Sequence, residues 1–149
     1  MMPYCADQGL GVSVFSPLAR GLLTCDTAST RNQTDFFTSQ MYGDAASREI
    51  AASVARVARR RGVSAAQIAQ AWVLQREGVA SMLVGADSPA QFDSALSALG
   101  TRLDTEELYE LDRNYTPCDV INDYTAGRRT AREPRAPKGD FVQPIKDAA

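Results

Sequence analysis

The sequence predicts an α/β fold with parallel strands. Two short apolar runs, Val12-Ser13-Val14-Phe15 and Ala80-Ser81-Met82-Leu83-Val84, are bounded by glycine or proline and read as strands. Between and after them lie segments with helical periodicity and clear capping residues. Strands separated by helices pair in parallel, because a hairpin cannot join them. Two parallel strands, apolar on both faces, cannot cover themselves, so the pattern predicts part of a larger sheet.

The elements follow in order. Residues 1–8 read as the tail of a helix, and Gly9 and Gly11 punctuate before the first strand, which Pro17 stops. Residues 18–43, rich in Thr, Ser, Asn, Asp and Gln and without a sustained period, are expected to form one long loop. From Asp44 a helix places Ile50, Val54, Val57 and Ala58 on one face, and Gly62 ends it. Ser64 and Gln67 form a capping-box pattern opening a helix to about residue 77, which buries Ile68, Ala71 and Trp72. Gly78 closes that helix, and the second strand follows as a buried one. Ser88, Pro89 and Gln91 combine a cap, a proline at the first helical position and a second box, opening a helix over 89–99. Asp104 with Glu107 starts a last helix with Leu108, Leu111 and Tyr115 on its apolar side. The count is two strands and about five helices. Residues 1–118 form the folded part, and 119–149 a polar, proline-broken tail, extended or disordered.

Composition narrows the chemistry. The 149 residues carry a net charge of −2, which gives no electrostatic drive toward nucleic acid or anionic lipid. No apolar run approaches the ~20 residues of a membrane span, and no signal peptide opens the sequence. There is no histidine, which excludes Ser–His, Cys–His and His-metal mechanisms working from these residues alone. Cys5, Cys25 and Cys118 form neither a CxxC pair nor a zinc set, so no metal site and no disulfide framework is expected and a reducing cytoplasm is the default.

The run Gly11-Val12-Ser13-Val14-Phe15-Ser16-Pro17-Leu18-Ala19-Arg20-Gly21-Leu22-Leu23-Thr24 resembles the seventh-strand motif of aldo-keto reductases. Pro3-Tyr4-Cys5-Ala6 is similar to the family's sixth helix, and the stretch from Arg61 to Leu74 to its seventh-helix region. Val84-Gly85-Ala86-Asp87-Ser88-Pro89-Ala90-Gln91 resembles the eighth strand and the turn into the last barrel helix, and Asn114-Tyr115-Thr116-Pro117 the usual end of the bacterial proteins. The resemblance is collinear over residues 1–118. It implies the carboxy-terminal part of a (β/α)8 TIM barrel. It also implies reduction of aldehydes or ketones with a nicotinamide cofactor, usually NADPH. The family's catalytic Asp, Tyr, Lys and His lie on earlier strands, so the resemblance assigns no catalytic residue here. Tyr4, Tyr42, Tyr109, Tyr115 and Tyr124 do not sit in the family's catalytic context. A complete barrel takes about 250 residues, so the first half or more is expected outside this sequence.

By the same resemblance, Ser16, Pro17, Leu18 and Gly21 line the loop beside the nicotinamide ribose and pyrophosphate. Gly85, Ala86, Asp87 and Gln91 fall where the family holds the adenosine 2′-phosphate, beside a helix amino end that favours anions. Two departures stand out. The family often has a basic or hydroxyl residue at Asp87, and a Glu-Asn pair at Ser94 and Ala95. A carboxylate repels a 2′-phosphate and accepts a hydrogen bond from a free 2′-hydroxyl. The parent enzyme, using NADP or NAD, is therefore expected to favour NADPH less than its relatives do, or to bind its cofactor weakly.

Plainer readings stand beside these. Gln91 is also a helix cap, and Asp87 also an exposed turn acid. Trp72 reads as a core aromatic, Arg59-Arg60-Arg61 as a solvated helix end, and Arg31 as an exposed loop residue that could otherwise close over a pyrophosphate. Two rivals of other classes remain: a truncated, non-catalytic interaction protein that self-associates through uncovered barrel surfaces, and a helix-turn-helix DNA-binding module over residues 47–77. The second helix of that module carries its one arginine, Arg76, at the far end, whereas recognition helices read bases from their amino-terminal residues.

Overall fold

The computed structural model describes residues 1–24 and 36–116, all within one unit, Met1–Cys118. Arg31 and the tail at 119–149 lie outside the described residues. The element order is α1 (Met2–Asp7), β1 (Val12–Val14), a 3-10 segment (Ala19–Thr24), α2 (Phe36–Tyr42), α3 (Ala45–Arg61), α4 (Ala65–Leu74), β2 (Val79–Met82), α5 (Pro89–Leu99) and α6 (Thr105–Asp112).

The strands pair in parallel, with Val12 opposite Val79, Ser13 opposite Ser81 and Val14 opposite Met82. Ala80 is the extra residue of a bulge in β2. The backbones come so close there that a Cβ on Gly11 would stand 2.8 Å from the Ala80 Cβ, so only glycine fits.

Helix boundaries follow local chemistry. Asp44 caps α3 through the Ser47 amide at 2.7 Å. Gly62 ends α3 at φ 66°, with the Gly62 and Val63 amides donating to the Arg59 and Ala58 carbonyls in a Schellman closure. Asp104 and Glu107 form a complete capping box, each side chain accepting the other's amide at 2.9 Å.

The core is a helix–helix contact. Val54, Val57 and Ala58 of α3 meet Ile68, Ala69 and Ala71 of α4, with Leu103 and Leu111 closing the cluster. Val57 and Ile68 are fully buried, each worth about 1.5–3 kcal/mol of transfer free energy. Polar stitches bind α6 to this pair. Arg61 grips the Glu107 carboxylate with Nε and an Nη at 2.6 and 2.5 Å, and Arg56 and Arg60 share Glu110 at 3.0 Å. The Arg61 hydrogen bonds hold the Glu107 carboxyl below its ordinary range, and Glu107 in turn raises Arg61. Burial pushes Glu110 up, but the hydrogen bonds from Arg56 and Arg60 outweigh it and the net direction is down. Trp72 Nε1 donates to Asp112 at 2.7 Å while the Arg76 guanidinium stacks 4.0 Å from the indole centroid and bonds the same carboxylate.

Several expectations are corrected. The supposed loop at 18–43 contains the 3-10 segment and α2, so among the described residues six α-helices stand where about five were expected. α4 ends at Leu74 rather than about 77. The Gln67 side chain donates to Thr101 at 2.8 Å, across to the α5–α6 connection, and not back to its own cap. The strands are not buried: Ser13, Ala80 and Ser81 are exposed, and Phe15 lies beyond β1 with 78% exposure. Tyr115 is exposed, because α6 stops at Asp112. Trp72 is half-buried at the rim of the core, where its N–H finds a carboxylate. Of the three consecutive arginines, Arg60 and Arg61 are paired with α6 rather than merely solvated.

Candidate functional site: two strand-end loops

Parallel pairing puts the carboxyl ends of β1 and β2 at one end of the sheet, and both groups of candidate residues leave from there. The ladder continues one step past β2, where the Leu83 amide donates to the Val14 carbonyl at 2.8 Å. Ser16, Pro17, Leu18 and Gly21 follow β1; Gly85, Ala86, Asp87 and Gln91 follow β2. In parallel α/β folds this end is where ligands are held.

The first loop is wound against the usual hand. Ser16, Ala19 and Arg20 have φ of 51°, 49° and 57°, and Gly21 has 98°. Each non-glycine residue there costs roughly 1–2 kcal/mol, so the conformation is held by its bonds. The Ala19 amide donates to the Ser16 carbonyl, and those of Gly21 and Leu23 to the Leu18 carbonyl. The Thr24 hydroxyl ties back to the Gly21 carbonyl at 2.8 Å. Strain of this kind gathers where a backbone meets a ligand. The Leu18 side chain packs against the core, so this residue offers the loop its backbone. The sequence signalled only the glycine; nothing in Ser16, Ala19 or Arg20 announces a left-handed residue.

The second loop is exposed from Gly85 to Gln91. Ser88 caps α5, its hydroxyl accepting the Gln91 amide at 3.4 Å. The Gln91 side chain does not return to Ser88: its Oε1 accepts the Asp87 amide at 2.8 Å, closing the turn one residue earlier than a capping box would. Pro89 has no amide to give, and the Phe92 amide is taken by the Ser88 carbonyl. Much of the donor capacity at this helix end is therefore spent within the turn, next to the Asp87 carboxylate. Ser94 and Ala95 face α4, where Ser94 Oγ lies 3.1 Å from Ser64 Oγ and Ala95 is buried.

Among the described residues no group of three or more His, Cys, Asp or Glu side chains is placed to hold a metal, and no helix is long and apolar enough to cross a membrane.

The sequence matches the model of the aldo/keto reductase family over residues 1–115. It is 33% identical to the versiconal hemiacetal acetate reductase of Aspergillus parasiticus, over 78% of this chain and 36% of that protein. The L-glyceraldehyde 3-phosphate reductase of Escherichia coli O157:H7 is 34% identical, over 72% of this chain and 34% of its own length. A Schizosaccharomyces pombe protein, named provisionally as an aryl-alcohol dehydrogenase, is 32% identical over 80% of this chain and 35% of its own. The chain spans about a third of the length of these relatives. The family is built on a TIM barrel and uses nicotinamide cofactors, and two adjacent parallel strands with their helices agree with part of such a barrel. With the match covering residues 1–115, a range that includes α1 through α6, this chain belongs to the aldo/keto reductase family.

Proposed function

We propose that this chain is the carboxy-terminal third of a nicotinamide-dependent reductase of aldehydes or ketones, contributing the loops that hold the cofactor. The observation that carries this reading is the common origin of the two loops, which leave adjacent parallel strands at one end of the sheet. Ser16, Pro17, Leu18 and Gly21 would border the nicotinamide ribose and pyrophosphate. The amides of Ala19, Arg20, Gly21 and Leu23 are taken within that loop, so its strained backbone supports a close main-chain approach to the cofactor rather than a nest of free amides.

The adenosine end fits less well. An Asp87 carboxylate beside a turn whose amides are largely spent suits a ribose hydroxyl better than a 2′-phosphate. Gly85, Ala86 and Asp87 would lie along the adenosine. Gln91 would act through Asp87, by fixing its amide. When bound, the nicotinamide supplies a hydride to a carbonyl carbon. The proton donor and its tuning groups would come from residues outside this sequence, and the isolated chain would turn nothing over. We place the protein in the cytosol.

Titration of NADH and NADPH against a parent enzyme containing this segment tests the reading. Comparable affinity, or a preference for NADH, is expected; a preference of tenfold or more for NADPH would overturn the assignment of Asp87. Oxidation of NADH or NADPH with any aldehyde by the pure 149-residue chain would overturn the claim that catalysis lies elsewhere.

A further inference from the structure

A glutamine is buried behind the first loop. The other side chains of α4 account for most sides of that helix. Gln67 and Gln75 reach Thr101 and Leu103 in the α5–α6 connection, Trp72 and Arg76 reach Asp112 of α6, and Ile68 lies in the cluster shared with α3. Gln70 stands two positions, about 200°, round the helix from Ile68. That places it, with Val73, on the side that α4 turns toward β2 and the 3-10 segment, both of which it packs against. A helix ordinarily lays an apolar stripe on a sheet, yet Gln70 is 3% exposed and its Oε1 has no hydrogen-bond donor among the described residues. α2 packs on the same 3-10 segment and brings a second such atom: Thr38 is buried, and its Oγ1 has no partner among the described residues. Buried polar atoms are nearly always matched, because an unmatched one loses its hydration with no bond in exchange. The segment itself is wound through Ala19, Arg20 and Gly21 at positive φ, and the Arg20 amide is held by a long 3.4 Å bond to Ser16 Oγ. Strained backbone and unmatched polar atoms on contacting elements persist where a second arrangement makes use of them.

Resting on the reading that the loop from Ser16 to Gly21 borders a nicotinamide cofactor, we propose that Gln70 is a positioning residue for that loop. Its Oε1 is the acceptor for a main-chain amide of the stretch from Ala19 to Leu23 in a second arrangement of the loop, which a bound dinucleotide favours. The loosely held Arg20 amide is the first candidate donor. A ligand shifts an equilibrium only by its differential affinity for the two arrangements, and Gln70 supplies part of that difference. An apolar side chain in its place would favour the unliganded winding, which is why a polar one is kept in a layer that apolar residues would fill more stably.

The test compares the full chain with its Gln70→Met variant, which keeps the length of the side chain and removes its polar end. The variant should have a higher urea midpoint, because an unmatched acceptor gives way to apolar atoms. It should also bind NAD+ at least about fivefold more weakly, a coupling of ordinary size, read from the amide shifts of Ser16, Leu18 and Gly21. A glutamine that only held the fold together would move stability and affinity in the same direction. Without nucleotide, relaxation dispersion at the Ala19, Gly21 and Leu23 amides should report the second arrangement in the wild type and vanish in the variant. A lowered midpoint, loss of folding or an unchanged NAD+ affinity in Gln70→Met would each overturn the proposal, as would flat dispersion in the wild type. Dispersion that Gln70→Met abolishes, in a wild-type chain that binds no NAD+, would leave the role of Gln70 standing and refute the nicotinamide reading instead.

Discussion

Replacing Glu107 with Gln removes one charge from the contact that fastens α6 to α3. In the folded chain its carboxylate accepts two bonds from Arg61 and one from the Asp104 amide. Its side chain is 6% exposed, while that of Arg61 is 30% exposed and can regain water. Glutamine preserves the volume and one acceptor oxygen, but its NH2 must face the Arg61 guanidinium in either orientation, and in one of them the Asp104 N–H as well, donor against donor. A hydrogen bond to a charged group is worth about 1.5–3 kcal/mol, and partial rehydration of Arg61 favours the lower half of that range. A loss of about 2 kcal/mol is expected, or roughly 6–12 °C in Tm for an ordered region of this size. Urea denaturation followed by circular dichroism measures it, with Glu106→Gln, an exposed residue of the same first turn, as control. Arg61→Lys should recover part of the loss seen with Arg61→Ala, because it keeps the charge and loses the fork. If Glu107→Gln costs no more than the control, the inter-helix contact contributes nothing and the account of α6 fails.

Other outcomes follow from the same contacts. Glu107 and Glu110 have depressed carboxyl pKa values in the folded state. Their stabilisation is thus full above the unfolded range near about 4.3 and is lost as pH falls through the lower folded values; Tm measured from pH 7 to pH 3 should fall, and fall less in Glu107→Gln. Asp112→Ala takes the partner from Trp72 Nε1 and Arg76, and tryptophan emission should shift on excitation of this single indole; an unchanged spectrum contradicts the contact. Gly62→Ala forces a left-handed alanine at φ 66° with open space around it, so a loss of about 1 kcal/mol is expected from backbone strain alone. Ile68→Ala should cost about 2–5 kcal/mol, the range for a fully buried site.

Much of this fold was legible because its signals are local. Ser64, Ser88 and Asp104 each act on an amide three residues on, and Gly62 on carbonyls just behind it, so a short window contains the whole interaction. α2 was not legible. Its Phe-Phe-Thr-Ser opening has neither helical period nor strong helix formers, and the segment packs against the 3-10 turn instead. The grip of Arg61 on Glu107 spans 46 residues, a separation at which charge pattern carries no pairing information. At the site, the sequence located both loops but not their conformation. Gln91 reads as the box partner of Ser88, whereas its Oε1 accepts the Asp87 amide, one residue before the cap.

The most direct test of cofactor holding is the amide spectrum of the isotope-labelled chain during titration with millimolar NAD+. Amide shifts are expected at Ser16, Leu18, Gly21, Gly85, Ala86, Asp87 and Gln91, with α3 and α6 undisturbed. Shifts centred on any other surface, or none at saturating nucleotide, would contradict it.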